Sequence, residues 1–370
     1  MKIKVPFNYL PLQFKNLNPY IKQWKLLAKS SEFTLGPFVE KFEKAFSNYL
    51  GVKYCISTNN GTDALILCLK SLGVRPGDEV ITVTNSFYAT AGAIAAVGAK
   101  IKFVDTDSRY QINIDMLKKK INKRTKVILP VHWGGASPNM FKILKIARKK
   151  SIHVVEDACM GIGAKIKKKR PGTFGIVNAF SMHPLKSLNV MGDGGMVVTN
   201  NKKIAMWLRR YRNHGMINRD KIDFWGVNNR LQPFQAVIAS KELKNLTKTI
   251  NKRNVNAKIY DRNLRKIKNV NLPDRPKGYL ETFALYMGLF KKRDKLKKYL
   301  YMNGIETKVH YPTPLHLQKP GKKLGYRNGS LPISEKQSKE LLTLPVHQYL
   351  NKDQINYVIK TIKKFYKKYD

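Results

Sequence analysis

Phe180-Ser181-Met182-His183-Pro184-Leu185-Lys186-Ser187-Leu188, followed by Gly192-Asp193-Gly194-Gly195, is the stretch from which the fold can be read. An apolar strand, Val177 to Phe180, runs into a turn-rich segment that carries one lysine, and a second strand, Gly195 to Thr199, follows the glycines. Upstream, the apolar run Ile152-His153-Val154-Val155 ends in Glu156-Asp157, so a buried strand delivers a carboxylate to its C-terminal end. A lysine and a carboxylate so placed suit pyridoxal phosphate: the amine can hold the cofactor as a Schiff base. The carboxylate can keep the pyridine nitrogen protonated, so that the ring works as an electron sink.

Outward from this segment the chain alternates strands and helices. Tyr54 to Ser57 reads as a strand, Ala64 to Leu72 as a helix and Glu79-Val80-Ile81-Thr82-Val83 as a strand. A helix through Ala91 to Val97 and the strands Lys102 to Asp105 and Val127 to Val131 continue the series. Strands separated by helices imply right-handed crossovers, and hence an α/β fold with a mostly parallel sheet covered by helices on both faces. Ligands of such sheets gather at the carboxyl ends of the strands. The domain boundary is expected at 240/241, with a large domain over 1–240 and a smaller α+β domain over 241–370. The second domain reads as a Lys/Asn-rich helix to about Lys266, a strand over Phe283 to Phe290, a helix over Lys292 to Asn303, and Glu306 to Tyr311 leading into Pro312-Thr313-Pro314.

A phosphate needs a cradle, and Asn60-Gly61-Thr62-Asp63-Ala64-Leu65 offers one: Gly61 permits close backbone approach, Thr62 brings a hydroxyl, and the helix N-terminus points its free N–H groups at an anion. A purely structural N-terminal cap explains the same residues equally well. Phe87 and Tyr88, after the strand ending near Val83, are positioned to supply a ring that stacks on a flat cofactor or one that packs in the core.

Composition bounds the rest. The chain has 370 residues, 43% of them hydrophobic, enough for two domains with cores. It shows no apolar leader and no apolar run of transmembrane length, so a soluble, cytoplasmic protein with no membrane partner is expected. Cys55, Cys68 and Cys159 have no paired or ligand-type spacing, which points to reduced thiols and no metal site. The formal net charge is +46. Lysine outnumbers arginine more than three to one, and the charge is spread along the chain instead of forming an arm. It therefore reads as compositional drift over solvated surfaces and not as a nucleic-acid footprint, with steering of an anionic substrate as an added consequence. Lys165 to Arg170, before Pro171-Gly172, reads as a charged hairpin tip.

Taken in order, these pieces resemble the sugar aminotransferases of the DegT/DnrJ/EryC1/StrS group, pyridoxal phosphate enzymes of fold type I. The resemblance runs from Val5-Pro6-Phe7 and Leu35-Gly36-Pro37 through the Asn60 to Leu65, Glu156-Asp157-Ala158 and Ser181 to Lys186 segments. It resumes at Arg212-Asn213-His214-Gly215, Gly226-Val227-Asn228-Asn229-Arg230 and His310-Tyr311-Pro312. It implies a mostly parallel seven-stranded sheet flanked by helices, plus the smaller C-terminal α+β domain. By the same resemblance Lys186 binds the cofactor and moves the proton, Asp157 pairs with the pyridine nitrogen and Phe87 stacks on the ring. Gly61, Thr62 and Ser181 would hold the phosphate, and Asn228 of a neighbouring subunit would complete that site, with Arg230 close by. A homodimer with shared sites follows.

His183 is expected to act as a base or to pack beside the lysine, and Arg230 to touch a ligand or to form an ion pair. His310, Tyr311 and His316, around the proline turn, are expected near the substrate, with loop histidines as the plainer reading. One departure from the family pattern is Met160, where glutamine is usual: a thioether cannot donate a hydrogen bond to the cofactor. Position 182 is also Met, where aromatic residues are frequent.

The implied reaction moves an amino group from L-glutamate to a keto-sugar, most plainly a keto-deoxyhexose on a nucleoside diphosphate, aminated at the 3- or 4-position, for amino-sugar or cell-surface polysaccharide synthesis. A keto-cyclitol or a sugar phosphate are the other acceptors. The alternatives are a sugar dehydratase of the same fold, in which histidine stands where Lys186 does, and a non-catalytic basic binding protein.

Overall fold

The computed structural model describes residues 2–369. Its centre is a seven-stranded sheet. Strands β1 (Tyr54–Thr58), β2 (Glu79–Val83), β3 (Lys100–Val104), β4 (Thr125–Leu129) and β5 (His153–Asp157) come first; after the short β6 (Lys165–Ile166) follow β7 (Val177–Ser181) and β8 (Gly195–Thr199). The sheet order is β1-β8-β7-β5-β4-β2-β3. The pairs from β7 through β5, β4 and β2 to β3 are parallel, and β8 alone runs against both its neighbours, β7 and β1.

The strands read as apolar runs because helices bury both faces. β2, β7 and β8 are buried at every position. On one face Leu65, Leu69 and Ile94 pack against Val80, Val127 and Val177, and on the other Phe42, Phe46 and Leu246 pack with Phe180, Met196 and Val198. β5 extends as far as Asp157, two residues past its apolar run, because Asp157 N–H donates to the Pro130 carbonyl at 2.9 Å and its own carbonyl accepts from His132 N–H at 3.0 Å. The ladder therefore fixes the backbone of Asp157 from both sides. The charged segment at 165–170 is a tight hairpin tip: Ile166 bridges Lys169, and β6 pairs with the two-residue β10 (Tyr279–Leu280), which follows β9 (Val270–Asn271) in the chain.

The smaller domain is built on β9, β11 (Tyr286–Phe290) and β12 (Leu341–Leu344), an antiparallel sheet in the order β12-β11-β9. Helices Arg293–Met302 and Lys352–Tyr369 cover it, with Tyr260, Phe290, Leu300, Ile362 and Phe365 in its core. Val5 joins that core from the far end of the chain. The division expected at 240/241 falls inside one 32-residue helix, Pro233–Leu264. Its first half (Ala236, Ala239, Leu246, Ile250) belongs to the large core and its last turns (Ala257, Tyr260, Leu264) to the small one.

Candidate active site

A cavity of about 260 Å³ opens where β1, β5 and β7 end, and Gly61, Thr62, Phe87, Asp157, Ser181 and Lys186 all line it. Residues as distant as Gly61 and Lys186 meet there because parallel strands deliver their C-terminal ends to one edge of the sheet.

Asp157 is 5% exposed. One carboxylate oxygen accepts from Thr90 Oγ1 at 2.7 Å, whose own hydroxyl lies 2.6 Å from Ser86 Oγ, and the other accepts from Cys159 N–H at 3.3 Å. Among the described residues no cation pairs with it, so a buried negative charge faces the cavity with only neutral donors around it. Its neighbour Glu156 points into the protein. It accepts from the N–H groups of Gly172, Phe174 and Gly175 at 2.7–2.9 Å and lies 2.8 Å from His132 Nε2. Of the two adjacent acids, one ties down a loop and the other faces the cavity.

The lysine loop is closed on itself. Met182 N–H donates to the Gly194 carbonyl at 2.7 Å, Val190 N–H to the Met182 carbonyl at 3.0 Å and Lys186 N–H to the His183 carbonyl at 3.1 Å, with Leu185 in a left-handed conformation at φ 72°. The Lys186 carbonyl accepts from Tyr9 Oη and from Asn189 Nδ2, each at 3.0 Å. Lys186 is thus half-buried on a fixed backbone with its side chain lining the cavity.

At the cradle, Asn60 caps the helix Gly61–Ser71 by accepting from Asp63 N–H at 2.8 Å. A Cβ on Gly61 would sit 2.6 Å from Ser181 Cβ, so glycine is required for β7 to come this close. Phe87, 47% exposed, stands at the mouth, its ring 5.3 Å from Tyr88 and 6.1 Å from Tyr311. Of the two aromatics considered at this turn, Phe87 lines the cavity; Tyr88 is not among the lining residues.

His310 and Tyr311 also line the cavity, His310 with Nδ1 2.9 Å from Thr343 Oγ1. Burial, with help from the nearby Lys186 and Lys308 charges, pushes the His310 imidazole down to about 4, so it is neutral near pH 7. Burial raises the Tyr311 phenol. His183 is exposed instead of packed; its Nδ1 lies 2.7 Å from the Pro184 carbonyl, which can only accept, so Nε2 is the free acceptor.

Three residues lie elsewhere. His316 is not brought to the cavity: its ring is fully buried, with Nδ1 2.7 Å from Thr84 Oγ1 and Nε2 3.0 Å from Glu335 Oε1, so both nitrogens are engaged within the protein and neither faces a substrate. Asn228 and Arg230 are not among the lining residues either. They sit on an arm over 213–230 where Arg230 donates to Asn228 Oδ1 and to Asn213 Oδ1, each at 2.9 Å. Arg230 makes no ion pair among the described residues. Asn228 is exposed, and Trp225 on the same arm is 88% exposed.

Tyr9, Thr90, Trp133, Arg253 and His347 line the cavity as well and were not legible as site residues. Tyr9 follows closely on Val5-Pro6-Phe7, the one local signal; Arg253 is hidden in the basic run Lys252-Arg253.

The model of the DegT/DnrJ/EryC1/StrS aminotransferase family matches residues 18–363. The chain belongs to this family. It is 38% identical over 369 residues to the pleiotropic regulatory protein of Geobacillus stearothermophilus, with 99% of each chain covered. It is 35% identical to the UDP-2-acetamido-2-deoxy-3-oxo-D-glucuronate aminotransferase of Pseudomonas aeruginosa, covering 89% of this chain and 91% of that one. The crystal structure of NtdA from Bacillus subtilis, with the cofactor PMP bound, superposes with a TM-score of 0.91 at 30% identity, covering 98% of this chain and 85% of that one. The fold is accordingly that of the DegT/DnrJ/EryC1/StrS aminotransferases, and the protein is a pyridoxal-phosphate-dependent aminotransferase. The cavity fits that cofactor on its own terms: a glycine-walled helix N-terminus for a phosphate, a buried carboxylate with no cation for a protonated ring nitrogen, and an amine on a fixed loop.

Proposed function

We propose that this aminotransferase moves the amino group of L-glutamate to a keto group of a nucleotide-linked sugar, in the cytoplasm and as a homodimer. The observation that carries this reading is the single cavity uniting Lys186, Asp157 and the Gly61–Ser181 cradle. When bound, pyridoxal phosphate would supply an electron sink for a carbanion at the donor's α-carbon. Gly61, Thr62 and Ser181 would hold its phosphate, Asp157 its ring nitrogen and Phe87 one face of its ring. Lys186 would anchor it, and the Lys186 Nζ would then take the proton from the donor's Cα and later deliver one to the acceptor carbon. His310, neutral at pH 7, would accept a hydrogen bond from a substrate hydroxyl without repelling the lysine.

Met160 lines the cavity where the family usually has glutamine, so one polar contact to the cofactor would be missing. Asn228, exposed on its arm, and Arg230, half-buried beside it, neither of them lining their own cavity, would serve the site of the second chain. The acceptor class is supported by the Pseudomonas relative, whose name specifies a 3-oxo sugar linked to UDP. The Geobacillus relative is named for regulation. A cavity that unites an amine and an unpaired carboxylate favours catalysis over that role here.

No helix among the described residues is long and apolar enough to cross a membrane. The test is incubation of the cofactor-loaded protein with L-glutamate and 3-keto or 4-keto sugars on UDP or dTDP, followed by mass spectrometry. Formation of 2-oxoglutarate and an amino sugar in equal amounts is expected. Loss of water from the sugar without amine transfer would replace this reading with the dehydratase.

A further inference from the structure

Beside the lysine loop, Tyr9, Arg253 and His347 share one wall of the cavity. Arg253 enters from the helix Pro233–Leu264 and is 2% exposed. Its guanidinium donates to Tyr9 Oη at 2.9 Å, to Gln348 Oε1 at 3.0 Å and, at 3.5 Å each, to Ser187 Oγ and the Phe283 carbonyl. All four acceptors are neutral, and among the described residues no carboxylate pairs with it. The other deeply buried arginines are treated differently: Arg212 pairs with Glu43 and Arg293 with Asp294. Burying a cation without a counter-ion is costly, so an arginine kept this way against a cavity is pre-set for an anion from outside.

His347, 4% exposed, adds a second unmet need. Its Nε2 lies 3.0 Å from the Pro6 carbonyl, which can only accept, so Nε2 carries the hydrogen. Nδ1 is then a bare acceptor, buried and without a partner. Burial, aided by the Arg253 charge, lowers this imidazole to about 4, so the ring is neutral and the acceptor is available near pH 7.

We propose that Arg253 and His347 form a carboxylate subsite: Arg253 binds a substrate carboxylate, and His347 Nδ1 accepts from the N–H or O–H group next to it. An α-amino acid donor carries that pair of groups, and so does a hydroxylated sugar acid. Tyr9 couples the subsite to the reacting amine, since its hydroxyl accepts from Arg253 and donates to the Lys186 carbonyl at 3.0 Å. The inference rests on the aminotransferase reading only for the identity of the ligand; the unpaired cation is independent of it.

The experiment is calorimetric titration of the cofactor-loaded protein with glutarate, a dicarboxylate that cannot donate an amine, and with its neutral dimethyl ester. Wild type should bind the acid and not the ester. Arg253→Gln should weaken glutarate by about tenfold or more, with Arg253→Lys in between because it keeps the charge and loses the fork. Equal affinity in wild type and Arg253→Gln, or binding of the ester as tightly as the acid, overturns the proposal. If Arg253→Gln does not fold, Arg253→Lys carries the same comparison.

The source of the carboxylate is read from the two half-reactions. A rise of the same factor in the L-glutamate concentration for half-maximal bleaching of the cofactor band assigns the subsite to the donor. A rise confined to the half-reaction with a sugar acid assigns it to the acceptor, and no rise in either removes the subsite from catalysis. A wild-type band indifferent to L-glutamate, with glutarate binding still dependent on Arg253, would sink the donor reading and leave the subsite standing.

Discussion

In the proposed reaction Lys186 and Asp157 divide the chemistry between an amine on a closed loop and a carboxylate at the end of a strand, and each makes a separate prediction. Lys186→Ala is expected to abolish turnover and the visible band of lysine-bound cofactor while circular dichroism stays unchanged, because its backbone contacts to Tyr9 and Asn189 survive the substitution. Full transaminase activity in the variant would remove the lysine from the mechanism. Asp157→Ala leaves Thr90 Oγ1 and Cys159 N–H without their acceptor and the cofactor without its counter-charge. It should weaken cofactor retention in dialysis and slow the donor half-reaction by about 10²–10⁴. The cavity positions of these two residues were legible in the sequence because each follows shortly after an apolar run, near the carboxyl end of a strand. Tyr9 and Arg253 were not, because they acquire roles only through contacts 177 and 244 positions apart.

The helix Gly61–Ser71 and strand β7 meet at Gly61 and Ser181 closely enough that no side chain fits between them. Gly61→Ala would place a methyl 2.6 Å from Ser181 Cβ, so the helix start or the lysine strand must shift. Overpacking of this kind costs about 1–3 kcal/mol. A lower melting temperature and loss of cofactor affinity are expected together, and retention of both at wild-type values would mean the cradle is looser than its geometry. The strands were readable from their apolar runs because helices bury both faces, yet their ends moved by up to two residues in either direction: β5 runs on to Asp157 where backbone pairing continues past the apolar run, whereas β4 stops at Leu129, before Pro130. The long helix Pro233–Leu264 hid the division between the two cores, since helical spacing carries no mark of where one core gives way to the next. Of the two readings of His316, substrate contact or a satisfied loop histidine, the structure has the second, and the proline turn alone could not decide between them because its Thr84 and Glu335 partners lie on other elements.

At the scale of the whole molecule, the exposure of Asn228 and Trp225 on the 213–230 arm, with Asn228 not lining its own cavity, leads to the prediction of sites shared between two chains. Mixing Asn228→Ala with Lys186→Ala should restore at most one working site per hybrid dimer, and no recovery at all would count against sharing. The buried imidazoles give a pH prediction. His310 and His347 are both held near 4, below the ordinary value of 6.5, so between those pH values the unfolded chain binds more protons than the folded one. Stability should fall as pH drops from 6.5 towards 4, with a shallower slope in His347→Gln; identical slopes would contradict the neutral, buried ring. The measurement that bears most directly on the central claim is the visible spectrum of the purified protein with pyridoxal phosphate, before and after L-glutamate, beside Lys186→Ala. A yellow band that bleaches with glutamate in the wild type and is absent from the variant is the expected result; no band in the wild type, or the same band in Lys186→Ala, would contradict it.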